Sequence, residues 1–140
     1  MMPASARNVW RKGFVPQLTR VELESLRDAL VRDDPRLLQG ATVSPPPLDC
    51  VRDWSVEAAC PLGYCGWQGL GLETVEEVEE EFAKLCFNCD QQMEEPAACR
   101  YLIDWWDDVP RHVAVSSLLT EIELALEALG EPVATAWGTV

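Results

Sequence analysis

Histidine is nearly missing from this chain, with His112 the only one in 140 residues. Nucleophilic triads and general-base sites usually turn on an imidazole, and a four-helix dimetal centre needs two Glu-x-x-His motifs. The single histidine removes the dimetal centre, and a triad or general base would have to use His112, which, close to Pro110 and four residues before Ser116, reads more readily as an ordinary surface side chain. No run of eighteen apolar residues occurs, so no membrane-spanning helix is expected. The opening stretch carries Arg7, Arg11 and Lys12 where a signal peptide would have its apolar core, which leads to the expectation of a soluble, cytoplasmic protein. The glycines between 63 and 71 come without a Walker lysine and without a preceding strand, and no EF-hand order of oxygen ligands is present. Period-two alternation and internal repeats are absent as well.

Basic residues are also scarce. Eleven Lys and Arg stand against twenty-four Asp and Glu, a net charge of −13. A chain of that sign is repelled by the phosphates that supply most nucleic-acid affinity, so direct DNA or RNA binding is not expected. The imbalance is uneven: residues 1–40 hold seven basic and five acidic side chains, and residues 41–140 hold four and nineteen. Such a surface suits a basic partner or mimics a polyanion, although self-repulsion that keeps the chain soluble explains it too.

What is present is enough apolar sequence, 48%, to bury a core. Residues 1–17 lack a period and read as a flexible basic arm, with Trp10 and Phe14 as its anchors. A single helical domain is expected over 18–130, followed by a tail over 131–140. Thr19 and Glu22 have capping-box spacing, Leu18 and Leu23 form a hydrophobic staple, and Leu23, Leu26 and Leu30 make one stripe. Asp34-Pro35 reads as the start of a short helix ending near Gly40. A second capping box, Thr74 with Glu77, opens a helix whose inward set is Val75, Val78, Phe82, Leu85, Cys86 and Cys89. A third helix is predicted over 96–108 with Cys99, Leu102, Ile103 and Trp106 inward. The last, over 110–129, has Val115, Leu118, Ile122, Ala125 and Leu129 on one stripe and stops at Gly130-Glu131-Pro132. Between them, residues 41–72 hold Pro45, Pro46, Pro47, four glycines, Trp54, Trp67 and three cysteines, and read as an ordered loop crossing the helices, with a brief helix near 55–59. The fold class is therefore all-α, a compact bundle of three to four helices crossed by a Gly/Pro/Cys-rich loop.

Six cysteines without an export signal point to reduced thiols or metal ligands rather than disulfides. Cys60 and Cys65, with Cys86 and Cys89, could close a tetrahedral zinc site, and the same four would be the site of a redox-responsive domain. Core packing explains them without any cofactor, and Cys86-x2-Cys89 lies too deep in its helix, among glutamates, to gain a lowered thiol pKa. The absence of a cofactor is the leading expectation. Asp104-Trp105-Trp106-Asp107-Asp108 places two indoles about 100° apart on a helix, so one of them, Trp105, is expected at the rim. Flanked by carboxylates it would grip an Arg- or Lys-bearing partner; the competing reading has Trp54 and Trp67 folding over it. The function that follows is a non-catalytic, acidic protein-interaction module for a basic partner, acting through Trp105, Asp107, Asp108, Glu76 and Glu80.

Overall fold

The computed structural model describes residues 2–40 and 53–130. Pro45, Pro46, Pro47, Cys50 and the tail over 131–140 lie outside the described residues. Helices dominate: α1 (Ala4–Val9), α2 (Arg20–Val31), α3 (Pro61–Tyr64), α4 (Val75–Met93), α5 (Ala97–Cys99) and α6 (Arg111–Leu129). Extended pairing among the described residues is limited to two isolated bridges, Leu37 with Ala59 and Ser55 with Thr74. The fold is all-α, as the sequence predicts.

Both capping boxes form as expected. Thr19 Oγ1 accepts the Glu22 N–H while Glu22 accepts the Thr19 N–H, and Thr74 and Glu77 repeat the exchange. Leu18, Leu23, Leu26 and Leu30 are buried. In α4, Val78, Leu85 and Cys89 are buried, with Phe82 and Cys86 partly so. Helix α6 stops at Gly130, whose positive φ of 75° a side chain would resist. Its buried face is Ala114, Ser117, Leu118, Glu121, Ile122 and Leu126, one position away from the expected stripe at Val115 and Ala125, and Leu129 is exposed.

Three further expectations are overturned. Residues 2–17 are not a loose arm: α1 runs into a π turn at Trp10–Phe14 and a 3₁₀ turn at Val15–Gln17. Met2, Ala6, Trp10, Phe14 and Leu18 are all buried, a row at constant i+4 spacing that an α-helical period does not recognise. In an α-helix each i+4 step advances the side chain by about 40°; a π turn, closed by i→i+5 bonds, takes that drift back and keeps the row in line. The same device operates after α5, where Arg100–Trp106 is π-helical. Its buried rows are Ala97, Tyr101 and Trp105 and, beside them, Ala98, Leu102 and Trp106, whereas Cys99 and Ile103, expected inward, are exposed.

The second correction concerns residues 34–40. Asp34 Oδ1 accepts the Arg36 N–H at 2.9 Å, as an N-cap would, but the chain then turns and enters the Leu37–Ala59 bridge instead of a helix. The third concerns the loop. Residues 55–59 form no helix and run between two bridges, and Pro61–Tyr64 followed by a π turn at Cys65–Gly69 is helical. Gly69 is a contact glycine rather than a turn former, since a Cβ there would stand 2.7 Å from Glu22 Cα. That closeness lets Cys65–Gly69 lie directly on α2.

Helices α2 and α6 pack as an antiparallel pair fastened at both ends. Arg20 donates to the Gly130 carbonyl at one end. At the other, Arg111 donates to the Leu37 and Asp34 carbonyls at 2.6 and 3.1 Å and to Asp33 at 3.0 Å. Helix α4 packs on Trp10–Phe14, on α5 and on α3.

Candidate interaction surface

The segment expected to present an exposed indole turns inward. Trp105 is only 4% exposed and Trp106 is fully buried, because the wider turn puts both on faces that have cover. Tyr101 is the centre of the cluster: its ring stacks on Trp10 at 6.0 Å and meets Phe14 at 5.2 Å and Trp105 at 5.5 Å. The cover comes from residues 2–18, not from Trp54 or Trp67. Trp67 lies against Tyr64, with the Arg36 guanidinium 5.2 Å from its ring centre. Trp106 Nε1 donates to the Leu38 carbonyl at 2.9 Å. Asp107 is committed internally too, its Oδ1 accepting the Gly40 N–H at 2.7 Å. Of the expected contact residues, Asp108 and Glu80 are exposed, Glu76 is half-buried and Trp105 is withdrawn.

An exposed indole among carboxylates is nevertheless present, at Trp54, 64% exposed. The Trp54 carbonyl accepts the Val75 N–H at 2.8 Å, the Val56 N–H donates to the Glu73 carbonyl at 2.9 Å, and Ser55 pairs with Thr74. These bonds hold the indole beside the first turn of α4. Acidic residues crowd this stretch: Asp53, Glu57, Glu73, Glu76, Glu77, Glu79, Glu80 and Glu81 occur between positions 53 and 83 without one Lys or Arg. Glu77 is held below the usual carboxylate range by the Thr74 and Glu73 N–H groups, and burial raises Glu79. A sequence signal for Trp54 existed in Asp53-Trp54, but nothing in one strand of sequence shows that residues 54–56 pair with 73–75.

The four cysteines do not gather as ligands. Among the described residues no group of three or more His, Cys, Asp or Glu is arranged to hold a metal ion. Cys60 caps α3, Cys65 begins the π turn against α2 and Cys89 packs on Gly13. Burial is the main cause pushing these thiols up, Cys60 to about 11 and Cys89 to about 12, with Cys65 and Cys86 raised as well. They are neutral at physiological pH and pack as small apolar groups.

Two polar features escaped the sequence reading. Glu121, 6% exposed, receives both arms of the Arg11 guanidinium at 2.7 and 2.8 Å, tying the first segment to α6. Buried Asp34 takes Arg36 at 2.8 Å and Arg32 at 3.1 Å, and these hold its carboxyl well below the ordinary range. Such pairings join residues through tertiary contact, so one-dimensional spacing carries little trace of them. No family model, curated protein or solved structure matches this chain.

Proposed function

We propose that this chain is a non-catalytic, acidic helical protein-interaction module that binds a basic protein surface through Trp54 and the carboxylates around the start of α4. The supporting observation is the exposed indole of Trp54, anchored by backbone bonds on both sides and set within a stretch, 53–83, that holds eight Asp and Glu and no Lys or Arg. Tryptophan is over-represented among residues that dominate binding energy, because it removes much area from water at little conformational cost. Surrounding carboxylates steer a cationic partner and reject an anionic one.

The test compares immobilised full-length chain with Trp54→Ala and with Leu124→Ala, which removes an exposed apolar side chain elsewhere. A bound protein should be lost from Trp54→Ala, by about 2 kcal/mol or roughly 30-fold in affinity, and kept by Leu124→Ala. Retention should weaken as salt rises past about 0.15 M. Equal retention by all three chains, or indifference to salt, would overturn the reading.

A further inference from the structure

The other end of α4, away from Trp54, holds a recess of its own. A cavity of about 270 Å³ opens between α1 and the Arg100–Trp106 π turn. Its apolar lining is Ala6 and Val9 from α1, Met93 from the end of α4 and Trp105 from the π turn, with the polar side chains of Ser5, Asn8 and Tyr101 beside them.

The charges at its mouth are not balanced. Glu95 and Arg100 both line the cavity and neutralise each other at 3.3 Å. That leaves Asp104, which also lines the cavity, is exposed, and has no hydrogen-bond or ion-pair partner among the described residues. An anionic ligand would have to displace Glu95 from Arg100 and then face Asp104, in a chain whose net charge is already −13. A cation meets a free carboxylate instead. Size narrows the choice further: pockets that enclose drug-sized ligands run from about 300 Å³ upward, so this one suits a short chain rather than a nucleotide or an extended peptide.

We infer that this cavity binds a primary alkylammonium group, its ammonium on Asp104 and its carbon stem against Val9, Met93 and Trp105. Two sources share that chemistry, a free aliphatic diamine and the lysine side chain of a protein, and the experiment separates them. The full chain, labelled with ¹⁵N, is titrated with 1,5-diaminopentane, with N-acetyl-lysine amide and with pentanol, while the six indole N–H signals are followed. The Trp105 signal should move saturably with an amine, while pentanol, which has the stem without the charge, binds at least about tenfold more weakly. Asp104→Asn should cost the amine a similar factor with the remaining spectrum unchanged, and Trp54→Ala should cost it nothing. Tighter binding of the diamine assigns a free amine; tighter binding of the lysine amide assigns a partner's side chain. Equal binding of pentanol, indifference to Asp104→Asn, or movement confined to the Trp54 signal would overturn the assignment.

Discussion

At the scale of single residues, the tightest constraint is Gly13. A Cβ added there would sit 2.4 Å from Cys89 Sγ, and Cys89 is fully buried, so the sulfur has no open space into which to retreat. Gly13→Ala should therefore destabilise the protein by about 1–3 kcal/mol, the usual cost of overpacking. Cys89→Ala removes the obstructing sulfur, so the double variant should lose less than the sum of the two single losses. Urea denaturation of all four chains reads this coupling directly; additive losses would mean that the two positions do not touch. Cys89 also illustrates what one sequence can disclose. Its place on the apolar stripe of α4 was legible from spacing alone, but the glycine that it fills was not, since nothing local in Lys12-Gly13-Phe14 names a partner on α4.

At the scale of elements, legibility followed the period. Helices α2, α4 and α6 hold to the 3.6-residue repeat and carry explicit start or stop signals, so both limits of α2 and α6 and the start of α4 are legible within about two residues, whereas nothing marks the end of α4 at Met93. The two aromatic segments depart from it: spacing alone gives residues 2–17 no period, although Trp10 and Phe14 are the buried anchors expected of them, and it puts Trp105 at the rim where the structure buries it. Both come from applying an α-helical step where the backbone takes a wider turn to hold an i+4 row. Trp10→Ala provides the check on the first segment. Its indole is completely buried and stacked on Tyr101, so truncation should cost about 3–5 kcal/mol, lowering the urea midpoint markedly. An appended arm would give an unchanged midpoint.

At the scale of the whole molecule, the thiols report on cohesion. Cys60, Cys65 and Cys89 are buried on three different elements, while Cys99 faces solvent. In a Cys50→Ser chain, a disulfide reagent at neutral pH should modify Cys99 at once. The three buried sites should react only as the structure opens, since burial both blocks access and suppresses the thiolate. If the fold opens as one unit, all three should slow to a common rate set by global unfolding, with the same dependence on urea. A faster reaction at one of them, followed by peptide mapping, would identify a part that opens by itself.

The Arg11–Glu121 pair joins positions 110 residues apart. During translation Trp10 and Phe14 leave the ribosome long before Tyr101 and Glu121 are made, so their rings spend most of that interval without the neighbours that will enclose them. Whatever shields greasy surface on a nascent polypeptide has its longest task here, at the segment whose final seat is supplied by residues synthesised much later.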